Sequence, residues 1–173
     1  PNTPYTVNIA GLCSNGDTSS WRIVSTRTSC YYLTSLPYLY GFEDAATGTS
    51  STGSPFVDCW NRLNNGTTYG AYPYVGSSTY AHTGSKGLYW YNTTTTGSYG
   101  DYQCVVLPGV DTDAFAINNL QLSFWVNANG YTSPVLYVGV MTDPTDINTF
   151  QIVDTINLSG SSWTEIEAPL SSF

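Results

Sequence analysis

LQLSFWVNANGYTSPVLYVGVM, residues 120 to 141, holds the longest uninterrupted period-two pattern in the chain. Leu120, Leu122, Phe124 and Val126 fall on one side and Gln121, Ser123, Trp125 and Asn127 on the other, the alternation that a half-buried strand requires. Leu136, Val138 and Val140 form the inner row of a second run, and Gly130 and Pro134 break the stretch between the two. The pattern predicts an antiparallel hairpin with one core face. A lone hairpin is marginal in water, so a second sheet is expected to cover that face.

Working outward, charged residues make up only 9% of the 173, Gly, Ser, Thr, Asn and Tyr are abundant, and no long 3.6-residue stripe occurs. That combination points to an all-β fold. A net charge of −8, with Arg22, Arg27, Arg62 and Lys86 as the four basic residues, argues against nucleic acid or an anionic membrane as partner. Calcium would be attracted. No apolar run approaches the length of a membrane span, and the chain opens on Pro1 without a signal-like segment, so it is expected to be processed or excerpted.

Cys13, Cys30, Cys59 and Cys104, in a Tyr-rich and Lys-poor chain, suggest an oxidising, extracellular setting with at least one disulfide. Four cysteines allow three connectivities. The absence of C-x-x-C spacing and the single histidine argue against zinc. Cys13 closes the first predicted strand and Cys30 follows the second. Pairing them would staple that hairpin across about seventeen residues, worth roughly 3 kcal/mol in the chain-entropy model. Cys13 to Cys30 is the preferred pairing, with Cys59 and Cys104 left to pair or to stay as buried thiols.

From the N-terminus, Tyr5, Val7 and Ile9 alternate with Thr6, Asn8 and Ala10, Ser14 to Asp17 gives a turn, and Trp21 to Thr26 resumes β-type residues. PNTPYTVNIAGLCSNGDTSSW, a short strand and TRTSC resemble the last two strands of a fibronectin type III domain, which implies a tyrosine-corner position for Tyr5. Residues 1–30 are read as that fragment. Residues 31–40, rich in Tyr and Leu, are too apolar for a flexible linker and are expected to pack on a neighbouring surface.

Residues 41–173 run through GFEDAATG, PFVDCWNR, YAHTGSKGLYWY, YQCVVLPGVD, the 120 to 141 stretch and MTDPTDINTFQIVDTINLSGSSWTEIEAPLSSF. This succession resembles the MAM-like, cleaved-adhesin jelly rolls of bacterial surface proteins, including those attached to secreted proteases. The resemblance implies an antiparallel jelly-roll β-sandwich with an adhesive or glycan-binding, non-catalytic role. It also implies structural Ca2+ near Glu43 and Asp44, with the turn at Ser85 and Lys86 presenting carbonyls. The family continues past the equivalent of Phe173, so the jelly roll is expected to be incomplete at its C-terminus and the fibronectin fragment at its N-terminus.

Asp143, Asp146 and Asn148 have an alternate-residue spacing that suits calcium, but D-P-T-D-I-N lacks the glycine and terminal Glu of an EF-hand loop. A capped turn is expected there. His82, the sole histidine, sits in a Gly/Ser turn without a nucleophile-elbow sequence, and Glu165 and Glu167 share one strand face in the pattern of plain solvation. No enzyme is expected. In GLYWY, alternation places Leu88 and Trp90 inward and Tyr89 and Tyr91 on the other face.

Tyrosines crowd residues 69–102, and flat rings stack on sugars or build dry protein contacts. Tyr72, Tyr74 and Tyr131 are the candidate ligand contacts. Asn65, Asn92 and Asn157 begin N-x-Ser/Thr triplets, and Thr155 in Asp-Thr-Ile matches a bacterial O-glycosylation pattern by similarity.

The sequence thus points to a secreted or cell-surface bacterial adhesion module whose partner is a glycan, a host or matrix protein, or copies of itself, without nucleic acid or membrane insertion. The alternatives are a fibre subunit assembled by strand complementation and an accessory domain of a secreted protease or glycosidase.

Overall fold

The computed structural model describes residues 4–27, 30, 32–52, 56–92 and 97–173. Pro55, Tyr31, and Thr93 and Thr94 of the middle glycosylation triplet lie outside the described residues. The fold is all-β and antiparallel, in two compact units, Pro1–Tyr31 and Tyr32–Phe173.

In the first unit, β1 (Pro4–Ile9) pairs antiparallel with β2 (Arg22–Arg27), placing Tyr5 opposite Thr26 and Val7 opposite Val24. An isolated bridge from Leu12 to Thr18 continues the ladder to the turn. There the Cys13 amide donates to the Asp17 carbonyl at 2.7 Å and Gly16 takes φ +88°, a backbone angle that glycine adopts without a Cβ clash. The expected strands and turn are present. Tyr5, Val7, Ile9 and Ile23 remain exposed.

The second unit contains β3 (Asn61–Asn64), β4 (Tyr74–Gly76), β5 (Gly87–Tyr89), β6 (Gln103–Val106), β7 (Gln121–Val126), β8 (Thr132–Met141), β9 (Phe150–Ser159) and β10 (Thr164–Pro169). Their pairings nest. β3 joins β6 and β4 joins β5; β7 joins β10 and β8 joins β9, all antiparallel. Each set of four strands is therefore one long two-stranded ribbon, interrupted partway along and closed by a tip. The first tip carries the 3-10 turn Ser78–Tyr80 and the second the 3-10 turn Ile147–Thr149.

This corrects the hairpin expected over residues 120 to 141. Both strands form and the alternation holds, with Leu122, Phe124 and Val126 half-buried and Gln121, Ser123 and Trp125 exposed. They do not pair with each other. Strand lengths match across the ribbon instead, six residues in β7 and in β10, ten in β8 and in β9. The connection between β7 and β8 turns through Asn129 at φ +51° and Gly130 at φ +83°, then bonds to the return connection: the Gly130 amide donates to the Gly160 carbonyl at 2.8 Å. The Asn127 side-chain amide reaches the Ser161 carbonyl at 2.9 Å. Alternation specifies the buried face and leaves the neighbour open.

The best-packed region joins Val75, Val57 and Ala45 to Tyr40, Phe42, Phe56, Trp60 and Leu88. Residues 32–40 belong to this unit, but the packing that their apolarity predicts holds only for Leu33, Tyr38 and Tyr40, which are half-buried, while Tyr32, Leu36 and Leu39 are exposed. The Trp60 indole donates to the Tyr38 hydroxyl at 2.9 Å, the Tyr40 ring lies 5.2 Å from Phe42 and 5.5 Å from Trp60, and Leu33 bridges to Val110. Leu88 faces this cluster, but Trp90 is 39% exposed beyond the end of β5, correcting its inward assignment. The Tyr89 ring, expected on the open face, is half-buried among other tyrosines.

The disulfide also differs from expectation. Cys30 and Cys59 are disulfide-bonded, while Cys13 is a free, exposed thiol and Cys104 a free, half-buried one whose pKa is raised by burial. The register of the first hairpin explains why Cys13 and Cys30 do not pair. Arg27 lies opposite Pro4, so Cys30 follows the open end of the hairpin while Cys13 sits at its turn. A disulfide tolerates a Cα separation of only about 7 Å. A formed disulfide indicates an oxidising, non-cytosolic setting. Among the described residues, no helix is long and apolar enough to cross a membrane.

Two outcomes are expected. Non-reducing peptide mapping joins the Cys30 and Cys59 peptides, with Cys13 alkylated in the native protein and Cys104 only after unfolding; closing a loop of about thirty residues contributes roughly 3 to 4 kcal/mol. Val75→Ala, at a position only 1% exposed, lowers the unfolding free energy by about 2 kcal/mol in a urea titration.

Candidate functional site

Glu43 and Asp44 are sequence neighbours whose carboxylates go to different partners. Phe42, just before them, takes φ +65°, a left-handed conformation that costs a bulky residue about 1–3 kcal/mol unless packing holds it. Its ring is held against Tyr40 and Trp60. The chain then turns so that Glu43 receives the 84–86 segment: Oε1 accepts the amides of Ser85 at 2.8 Å and Lys86 at 3.0 Å, and Oε2 accepts the Ser85 hydroxyl at 2.6 Å. In return, the Lys86 ammonium donates to the carbonyl oxygens of Glu43 at 2.9 Å and Ala45 at 2.6 Å. Asp44 instead accepts from the Tyr40 hydroxyl, whose pKa is raised first by burial and then by that carboxylate.

The Ser85 hydroxyl, then the Ser85 and Lys86 amides, hold the Glu43 carboxyl below the ordinary carboxylate range. Gly84 completes the turn at φ +74°, and a Cβ there would collide with the Glu43 carboxylate. The structure thus brings Glu43, Ser85 and Lys86 together, through N–H and O–H donors of the turn rather than the carbonyls that the resemblance implies, and sends Asp44 elsewhere. Among the described residues, no three His, Cys, Asp or Glu side chains gather to hold a metal.

The tyrosines form a continuous ring cluster. Tyr80 stacks on Tyr89 at 4.1 Å, Tyr89 meets Tyr74 at 5.6 Å, Tyr74 meets Tyr72 at 5.2 Å, and Tyr72 lies 6.1 Å from Tyr99, which stacks on Tyr69 at 4.5 Å. Tyr91 links Tyr99 to Tyr131. Tyr72 is the middle of this cluster and only 7% exposed, so its assignment as a ligand contact is corrected: its faces are covered by other rings. Burial raises its pKa, with Tyr74, Tyr89 and Tyr99 adding to the shift, so it stays a neutral phenol. Tyr74 is half-buried, and Tyr131 is the exposed member.

Beside the cluster, the loop between β3 and β4 borders an open concavity of about 370 Å³ lined by Ser51, Thr52, Arg62, Thr67, Thr68 and Ala71, together with Gly66 and Gly70. This volume lies at the low end for small-ligand sites. The loop is pinned by backbone bonds from Tyr69 to Ser98 at 2.7 Å, from Thr67 to Gly97 at 2.8 Å and from Ala71 to Ser50 at 3.2 Å. The Arg62 guanidinium lies 5.0 Å over the Phe56 ring and donates to the Pro73 carbonyl. Sequence reasoning did not select Arg62. Its membership in a set of only four basic residues was the available signal.

His82 lies on the exposed face of β7, its ring stacked 4.0 Å from Trp125 and 5.3 Å from Trp163. Glu165 pairs with Trp125 and Glu167 with Ser123, all exposed. The expected capped turn is present, with Asp143 accepting the Thr145 amide and hydroxyl and Asp146 accepting the Asn148 amide. Thr155 is an exposed residue of β9 opposite Tyr137, and its amide donates to Asp154.

Comparison with family models, with characterised protein sequences and with solved structures finds no match to this chain.

Because the folded pKa of Glu43 is depressed, its contribution to stability is present above the ordinary glutamate pKa of about 4.3 and is lost as pH falls through the folded value. Glu43→Gln is expected to be less stable than the parent at pH 7, with the gap narrowing below about pH 4 in paired urea titrations. Gly84→Ala, strained at positive φ and pressing on Glu43, loses roughly 1–2 kcal/mol at pH 7.

Proposed function

We propose that this chain is a non-catalytic, extracellular binding module that takes the end of a glycan into the open concavity lined by the loop between β3 and β4. The observation that carries the reading is the makeup of that concavity. Ser51, Thr52, Thr67, Thr68, Ala71 and Arg62 line it beside the stacked Tyr69 and Tyr99, with the Thr52 hydroxyl bonded to Thr49 and the Thr67 hydroxyl to the Gly97 carbonyl. Sugars present hydroxyl edges and apolar ring faces, and a pre-formed site that offers both loses little entropy on binding. Tyr131, exposed at the end of the cluster, is available to a longer glycan as a stacking face. The ribbons support a jelly roll of the MAM-like, cleaved-adhesin type, because folding long two-stranded ribbons is one way such a sandwich winds.

His82 lays its ring face on Trp125, and Glu165 and Glu167 stand exposed on β10. On a glycan array the protein is expected to give a saturable, sugar-specific signal. Thr68→Trp, which fills the concavity from an exposed position, abolishes that signal while leaving the melting temperature unchanged. Equal binding by the parent and Thr68→Trp would remove the concavity from the account.

A second reading, a subunit of a self-complementing fibre, is favoured by the first hairpin. Among the described residues β1 pairs only with β2, and Tyr5, Val7, Ile9 and Ile23 stay exposed along it. Such an edge can accept or donate a strand. That reading expects concentration-dependent growth in light scattering at micromolar protein, whereas the glycan-binding reading expects a monodisperse solution.

A further inference from the structure

The calcium implied by resemblance near Glu43 does not fit the donors present. Calcium takes six to eight oxygens whose lone pairs face the ion. At Glu43, Oε1 is faced by two backbone amides and Oε2 by the Ser85 hydroxyl, so the carboxylate is directed at N–H and O–H donors. Asp44 accepts from Tyr40. The two carbonyl oxygens that do converge, those of Glu43 and Ala45, converge on the Lys86 ammonium at 2.9 and 2.6 Å. An ammonium already seated on those oxygens repels a second cation.

We propose that the Lys86 ammonium is the resident cation of this site, tying residues 43–45 to the 84–86 turn in place of a divalent metal. The surroundings are arranged for it. The left-handed Phe42 and the turn that follows aim two carbonyls at one point, and Gly84 lets the 84–86 backbone approach the Glu43 carboxylate. Lys86 is half-buried, and its head meets the carbonyl oxygens of Glu43 and Ala45. The bonds run in both directions: Glu43 holds the amides of residues 85 and 86 through its side chain, and Lys86 holds residues 43 and 45 through their carbonyls. A lysine suits the place because a compact ammonium with three donors can sit between two carbonyls, where a planar guanidinium would spread past them. This second unit therefore keeps its geometry without divalent cations.

Lys86 is the only lysine in the chain, which makes the test direct. The native protein is treated with an amine-acetylating reagent at neutral pH, with and without millimolar calcium, and modification of Lys86 is followed peptide by peptide. Because labelling waits on local opening, Lys86 is expected to react about tenfold or more slowly than in the urea-unfolded chain. Calcium leaves that rate unchanged. In parallel, the melting temperature is the same in excess chelator and in millimolar calcium. Labelling of the native protein at the unfolded rate would overturn the assignment, as would a melting temperature or Lys86 reactivity that rises with calcium.

Discussion

The constraint on which the second unit depends is that a folded two-stranded ribbon must satisfy its backbone groups at every point where it bends. Where β7 gives way to β8, the ladder is interrupted, and the amides and carbonyls there need other partners. The connection at Asn127 to Gly130 meets the return connection at Gly160 and Ser161 and takes its bonds from it. The first ribbon does the same with side chains: the Asn64 amide donates to the Tyr72 carbonyl at 2.9 Å, its oxygen accepts the Gly66 amide at 2.6 Å, and Asn65 exchanges bonds with Asp101. The Asn-rich breaks between strands serve as connectors within the ribbon.

Those bends place the chemistry. The break between β3 and β4 carries the loop that lines the polar concavity, and the first ribbon's tip carries the Ser85–Lys86 turn that Glu43 holds. The tyrosine cluster joins the two, because Tyr72 and Tyr74 lie at the end of the loop while Tyr80 and Tyr89 flank the tip. Rings that mutually bury their faces make a rigid wall but leave few faces for a ligand. This is why the proposed recognition rests on hydroxyls and Arg62, with Tyr131 as the remaining open ring.

Alternation made β7 and β8 readable from sequence, and with them the all-β class, because the side-chain period of a strand depends only on its own residues. Their partners were not readable: β10 lies some forty residues from β7, and alternation on each strand fits many registers. Cysteine spacing failed at Cys13 for the same reason, since position along the chain does not show which end of a hairpin a residue occupies. The grouping of Glu43 with Ser85 and Lys86 came from resemblance, but the direction of the bonds did not. It follows from the backbone of Phe42, which no residue pattern announces. Counting exposed aromatics could not separate Tyr72 from Tyr131, because burial in a ring cluster is a property of the assembled fold.

The measurement that bears most directly on the folded-ribbon account is a set of interstrand nuclear Overhauser contacts in the isotope-labelled protein. The account predicts backbone contacts between Phe124 and Ile166, and between Leu136 and Ile156, the pairs that lie opposite each other in the β7–β10 and β8–β9 ladders. A regular ladder of backbone contacts between Gln121–Val126 and Thr132–Met141 would instead close a local hairpin and contradict it.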